Sequence, residues 1–227
     1  MAVQKEQYLQ LRDQMGNDAT LVAVSKFKPT DDIQALFDLG QRDFGENFVQ
    51  ELTMKYEALP KEIQWHFIGH LQTNKVKYIV PFVHLIHGVD TQKLLTEINK
   101  QGTKINRVID CLLQVHISEE ETKYGFNEQE LEQILQKLAT EKETFTHVNI
   151  RGLMGIASFT ENQEKIRKEF QHLKQLFDKT KSAMAGSDSS FNILSMGMSA
   201  DYEMALAEGS NMTRIGSLLF GQRTSTG

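Results

Sequence analysis

Short apolar runs alternate with stretches of helical periodicity along the whole chain. After an opening helix over residues 4–15, this pattern predicts eight strands with helical segments between them. The strands are predicted at 21–25, 42–45, 65–68, 84–89, 108–115, 148–154, 193–196 and 212–215. The helices are predicted at 31–39, 46–59, 74–79, 91–100, 128–142, 162–181 and 201–208. Alternation of this kind is typical of α/β proteins with a buried parallel sheet.

Eight strand–helix units in one undivided chain favour a (β/α)8 TIM barrel. The length of 227 residues approaches the usual barrel size from below. A doubly wound open sheet is the alternative, because periodicity alone does not distinguish two kinds of buried parallel sheet. No Ser/Gly-rich linker divides the sequence, and the stretch AGSDSS at 185–190 is interpreted as a surface loop. Residues 1–227 are therefore predicted to form a single domain.

Composition and charge narrow the class of protein. The chain has 25 Lys and Arg against 30 Asp and Glu, a formal net charge of −5, and no basic stripe that would follow nucleic-acid phosphates. Its apolar runs fall far short of the roughly 20 residues that span a bilayer, and its beginning lacks a signal-peptide core. The single Cys111 is expected in the core. We expect a cytoplasmic protein that binds neither nucleic acid nor membranes.

Lys26 is the first candidate functional residue. Strand alternation places Val22, Val24 and Lys26 on one face. If this face points into a barrel, the ammonium group stands at the mouth where barrel enzymes keep their sites. Partial desolvation would lower the pKa of the amine and favour attack on a carbonyl, as in Schiff-base lysines. The alternative is a lysine that simply reaches solvent, the commoner fate of this residue type.

The segment 194–221 contains a second candidate site. The run SMGMS at 195–199 leads into a predicted helix with Ser199 as its expected N-cap, and RIGS at 214–217 follows the last strand. Free N–H groups at helix starts bind anions, and the loops after strands seven and eight form phosphate sites in many barrel enzymes. The alternative is that the glycines only form turns and Ser199 only caps the helix. Together the two turns predict a phosphate site.

The histidines do not predict a metal site. His66 and His70 are spaced as a helical pair, but they straddle a strand end and a glycine, so they are not expected to share a face. His84 and His87 are expected on opposite faces of their strand. The acidic run at 119–121 is interpreted as a solvated loop. No Ser-His-Asp arrangement is predicted either.

Five motifs, in this order along the chain, resemble the pyridoxal phosphate homeostasis proteins, the YggS/PROSC family. They are AVSKFKP (23–29), GENFVQE (45–51), WHFIGHLQTNK (65–75), RGLMGI (151–156) and LSMGMSADYEMALAEGS with RIGSLLFG (194–221). The family fold is similar to the N-terminal barrel domain of alanine racemase, the type III fold of pyridoxal phosphate (PLP) proteins. The resemblance favours the barrel over the open sheet.

The resemblance also implies a cofactor site. Lys26 would carry PLP as a Schiff base, and Asn47 would line the pocket. Arg214 would face the pyridine nitrogen of the cofactor.

The remaining implied site residues form a phosphate cradle. Ser199 would hold the phosphate together with the backbone amides of Gly216 and Ser217. One departure lies in the loop after the sixth strand, where Ser158 stands in a place that is often proline in the family.

The function implied is PLP carriage in intracellular cofactor homeostasis, without firm catalytic activity. An arginine does not readily release a proton to the pyridine nitrogen, which weakens the ring as an electron sink. Alanine racemase shares this arrangement, but it adds a β-rich domain with a catalytic tyrosine, and no length remains for such a domain here. We expect a monomer whose partners are PLP and apo-forms of PLP enzymes.

Two other functions remain open from the residues. One is a weak amino-acid racemase with Lys26 as its base. The other is a barrel enzyme that acts on a phosphorylated sugar, with Lys26 as a Schiff-base or acid/base residue and no bound cofactor.

Overall fold

The computed structural model describes residues 3–16, 18–118, 124–184 and 190–221, in which strands and helices alternate. The strands are β1 (Thr20–Val24), β2 (Asp43–Glu46), β3 (Gln64–Phe67), β4 (Leu85–Val89), β5 (Ile109–Val115), β6 (Val148–Gly155), β7 (Ile193–Met198) and β8 (Met212–Ile215). The helices are α1 (Lys5–Met15), α2 (Thr30–Asp38), α3 (Val49–Ala58), α4 (Val76–Ile79), α5 (Gln92–Lys104), α6 (Glu128–Thr140), α7 (Gln163–Met184), α8 (Tyr202–Ala207) and α9 (Ser217–Phe220). A 3-10 turn, Thr73–Lys75, precedes α4.

The eight strands form a closed parallel barrel in chain order. Each strand pairs with the next, and β8 pairs with β1 to complete the closure. This confirms the predicted (β/α)8 fold and excludes the open sheet. Every predicted strand boundary lies within two residues of the observed one, whereas α9 was not predicted. The predicted acidic loop at 119–121 and most of the predicted loop at 185–190 lie outside the described residues.

Two apolar layers hold the barrel together. The inner one fills the barrel with Val22, Leu85, Leu112, Met154 and Met212. The outer one packs the other strand faces against the helices, and it is much the larger. Full burial of each aliphatic side chain stabilises the fold by about 1.5–3 kcal/mol. The predicted alternation along β1 is confirmed for its inward Val22.

Two further features are the burial of Cys111 and the character of the helices. Cys111 on β5 is completely buried in the outer layer, which confirms its prediction as a core residue. Among the described residues, no helix combines the length and the apolar character needed to cross a membrane.

Candidate functional site

The predicted site residues gather at the carboxyl end of the barrel. Lys26 comes two residues after β1, Asn47 directly follows β2, and Ser199 directly follows β7. Gly216 and Ser217 come immediately after β8. Parallel strands present all their carboxyl ends at one mouth, so side chains distant in sequence meet there. The structure therefore brings these residues to the same end of the molecule.

The turn that carries Lys26 is held in a strained conformation. Phe27 has φ of 61°, in the left-handed region that non-glycine residues rarely adopt. Its backbone N–H donates to Glu51 Oε1 at 2.6 Å, and Lys55 Nζ donates to the carbonyl oxygen of Ser25 at 2.7 Å. Contacts on both sides of Lys26 thus fix the backbone from which its half-buried side chain extends.

A buried ionic cluster beneath this turn supplies those contacts. Lys55 Nζ lies 2.7 Å from Glu46 Oε1 and 2.6 Å from Glu51 Oε1, and the Ser25 hydroxyl donates to Glu46 Oε1 at 2.6 Å. Burial raises the pKa of Glu46, and the positive charge of Lys55 opposes this change. Sequence reasoning missed the cluster. The available signal was the i, i+4 spacing of Glu51 and Lys55 on α3.

The two turns that were predicted to bind phosphate, after β7 and after β8, are in contact with each other. The Gly216 N–H donates to Ser199 Oγ at 3.2 Å, which joins the turn after β7 to the turn after β8. The prediction that Ser199 caps a helix is wrong, because α8 begins at Tyr202 with Asp201 before it. The Asp201 carboxylate instead accepts the Met198 N–H at 2.6 Å and tightens the turn that contains Ser199. Ser217 is exposed at the start of α9.

Arg214 projects into the barrel from β8 and is almost completely buried. Its guanidinium donates to Ser195 Oγ at 2.6 Å and to the carbonyl oxygen of Gly155 at 3.0 Å. Burial lowers the pKa of Arg214 to about 10, against the opposing charge of Asp201. The group therefore keeps its positive charge at neutral pH.

A chain of buried polar groups continues from Arg214 towards the opposite end of the barrel. Ser195 Oγ lies 3.2 Å from His87 Nδ1, and His87 Nε2 lies 2.9 Å from His66 Nδ1. His66 Nε2 then lies 2.9 Å from Asp43 Oδ1. Burial lowers the pKa of His87 well below its usual value. With neutral imidazoles, the donor at Arg214 and the acceptor at Asp43 orient every hydrogen of the chain towards Asp43.

The predictions for the histidines are met only in part. His70 pairs with Asp90 at 2.8 Å and does not join His66, so these two histidines do not share a face, as predicted. The prediction that His84 and His87 face opposite ways is wrong, because both rings approach His66, with centroids 5.3 and 5.2 Å away. His84 lies outside β4, so strand alternation does not govern its direction, and the pairing of β4 with β5 shifts register between Ile86 and Val89, around His87.

Aromatic side chains border the carboxyl-end mouth. Phe27 and Phe48 follow β1 and β2, are exposed, and have ring centroids 5.1 Å apart. After β5, the exposed Tyr124 stacks on His70, which follows β3, with ring centroids 4.0 Å apart. This end of the barrel therefore combines exposed aromatic side chains with Lys26, the buried Arg214 and two turns of small residues.

The loop after β6 is fastened by Ser158, the residue that departs from the family pattern. Its N–H and its hydroxyl each donate to the Glu169 carboxylate at 2.6 Å. A proline at this position could not supply that N–H.

The fold and the family comparison place this chain in the class of barrels that are similar to the N-terminal domain of alanine racemase. The model of the alanine racemase N-terminal domain family matches residues 4–224. A pyridoxal phosphate homeostasis protein of Aquifex aeolicus is 41% identical over 212 residues, 91% of this chain and 88% of the relative.

Solved structures agree with this assignment. PipY of Synechococcus elongatus without PLP superposes with a TM-score of 0.88 at 32% identity, covering 95% of this chain and 99% of PipY. The structure of PipY with PLP bound gives a TM-score of 0.84 at the same identity and coverage. The chain belongs to the pyridoxal phosphate homeostasis protein family. This confirms the family predicted from the five motifs.

Proposed function

We propose that this protein binds pyridoxal 5′-phosphate as a Schiff base on Lys26 and acts in homeostasis of that cofactor. The observation that carries the proposal is that Lys26 and the joined Ser199 and Gly216 turns lie at the same end of the barrel. The relatives are named for PLP homeostasis, and PipY, which shares this fold, has a structure with PLP bound.

The phosphate is held by Ser199 and by the backbone amides of Gly216 and Ser217. Gly216 lets the turn after β8 lie close to the backbone of β1. A Cβ at this position would lie only 3.3 Å from the carbonyl oxygen of Val24. Backbone N–H groups and a hydroxyl that converge in a turn of small residues suit a phosphate's oxygen acceptors.

The ring is oriented by Arg214 and Asn47. The Oδ1 atom of Asn47 is buried and has no hydrogen-bond partner among the described residues, so it fits a polar group of the cofactor. When bound, PLP supplies a reactive aldehyde and an electron-accepting ring. Arg214 would donate a hydrogen bond to the pyridine nitrogen and would keep its proton at neutral pH, because its pKa is about 10. The ring would therefore be a weak electron acceptor.

This arrangement favours a carrier over an enzyme. The relatives are named homeostasis proteins, and the exposed Phe27 and Phe48 border a mouth through which cofactor can exchange. The same proposal includes one PLP-binding barrel domain over residues 1–227, a monomeric state, a cytoplasmic location and apo-forms of PLP enzymes as recipients. The family model that matches residues 4–224 supports the single domain.

The test is the visible spectrum of the purified protein with PLP, before and after borohydride, with peptide mapping of the reduced adduct. We expect a yellow protein whose adduct maps to Lys26, and loss of the absorption band in Lys26→Ala but not in the control Lys75→Ala. A protein that stays colourless, or an adduct on Lys75, would contradict the proposal. Amino-acid racemisation that disappears in Lys26→Ala would instead identify an enzyme.

A further inference from the structure

We propose that the amino-terminal end of the barrel binds one divalent transition-metal ion through Asp43, His66 and His84. Among the described residues, these three form a group whose ligand atoms all lie within 4.8 Å of one another. They come from the start of β2, from β3 and from the residue before β4, so three neighbouring strands supply them, although in register His66 lies opposite Gly45 and not opposite Asp43. The site is distinct from the proposed cofactor site, since Asp43 begins the strand that Asn47 follows.

The donor set indicates the class of metal. Two imidazole nitrogens and one carboxylate oxygen suit Zn²⁺ and related ions, whereas Mg²⁺ and Ca²⁺ prefer oxygen ligands throughout. A tetrahedral Zn²⁺ with bonds of about 2.0–2.2 Å keeps its ligand atoms about 3.3 Å apart. His66 Nε2 and Asp43 Oδ1 are already 2.9 Å apart. A water molecule would complete the coordination.

The three proposed ligands differ in solvent exposure, as expected for a metal site that an ion can enter from solvent. His66 is buried and rigidly placed, Asp43 is partly buried, and His84 is exposed. The two inner ligands therefore fix the position of the ion, and His84 closes over it from the surface. Its ring centroid already lies 5.3 Å from that of His66.

His87 acts as a positioning residue for this site. Metal-bound histidines usually hold a hydrogen bond at the other ring nitrogen, and His66 Nδ1 has that partner in His87 Nε2 at 2.9 Å. An ion on His66 Nε2 displaces the hydrogen there to Nδ1, which then donates to His87. The hydrogen of His87 moves in turn to Nδ1 and points towards Ser195 Oγ, so the Ser195 hydroxyl turns its own hydrogen away from this ring. Each imidazole keeps one ring hydrogen and exchanges one tautomer for the other.

Equilibrium dialysis of the untagged, PLP-loaded protein against Zn²⁺, followed by metal analysis, tests the site. We expect one zinc per chain in the wild type and in the control His172→Gln, whose histidine is half-exposed on α7 and belongs to a different part of the surface. In His84→Gln, the affinity should fall by more than the roughly 10–100-fold caused by loss of an outer hydrogen bond. His84 is exposed, so this variant should fold, as circular dichroism would check.

A second measurement applies to the wild type alone. Nitrogen-15 NMR of the imidazoles should show His66 and His87 changing tautomer when zinc is added. The proposal is overturned if His84→Gln binds zinc as tightly as the wild type, if His172→Gln loses the same affinity, or if zinc binds without any change at these two rings.

Discussion

Arg214 is a buried charge whose two observed hydrogen bonds are both made to neutral groups. Removing a guanidinium from water is costly unless its donors are satisfied, and Ser195 Oγ and the Gly155 carbonyl satisfy two of them. The other N–H groups of the Arg214 guanidinium are available for the proposed hydrogen bond to the pyridine nitrogen of PLP. The pKa of about 10 means that the residue stays a donor throughout the neutral range.

Cys111 provides a test of burial at a single side chain. Its thiol is fully buried, and desolvation raises its pKa, so the reactive thiolate is absent from the folded protein at neutral pH. We expect the native protein not to react with Ellman's reagent, and one thiol per chain to react in guanidinium chloride. Complete reaction before unfolding would show that the β5 core opens readily.

The turn after β1 depends on α3 through the ionic cluster of Ser25, Glu46, Glu51 and Lys55. Lys55→Met leaves the buried Glu46 carboxylate without its cation, so we expect a loss of about 3–5 kcal/mol in the free energy of unfolding. Urea denaturation measures this loss. Because the same cluster fixes the Lys26 turn, the variant should also bind PLP more weakly.

The pair of Lys174 and Asp178 on α7, whose side chains are 36% and 54% exposed, is the matched control for this variant. It has the same i, i+4 spacing and a nitrogen–oxygen distance of 2.5 Å, but Lys174→Met should cost less than about 1 kcal/mol. Equal losses in the two lysine variants would mean that burial of the cluster adds nothing to stability.

The strands and the site differ in how far sequence could predict them. Apolar runs are local signals, so the bounds of β1 to β8 were predicted closely, and the candidate site residues lie at the carboxyl ends of these strands. The contacts of Lys55 with Ser25, and of Ser199 with Gly216, join different βα units, and no local pattern specifies such pairs. The approach of His84 to His66 depends on the register of β3 with β4, in which His66 lies opposite Leu85, and a shift of one residue would reverse the face of every side chain.

Closure of the barrel joins the first strand to the last strand beside the proposed cofactor site. β1 pairs with β8 from Thr20–Met212 to Ala23–Ile215, and Lys28 Nζ donates to the carbonyl oxygen of Phe220 at 3.0 Å. In the proposed complex, Lys26 lies on one side of this seam and Gly216 on the other. Bound cofactor would therefore connect the first strand to the last one and oppose the opening of the barrel.

Cofactor binding should consequently raise the thermal unfolding temperature of the whole molecule. A ligand at 100 times its Kd stabilises the folded state by about 2.7 kcal/mol, provided that it does not bind the unfolded chain. Thermal denaturation followed by circular dichroism should show a clear increase with PLP and a much smaller one with pyridoxal, which lacks the phosphate. In Ser199→Asp, the added carboxylate would repel the phosphate, so PLP should lose most of its effect. Equal stabilisation by PLP and pyridoxal, or an unchanged response in Ser199→Asp, would show that the β7 and β8 turns do not hold the phosphate.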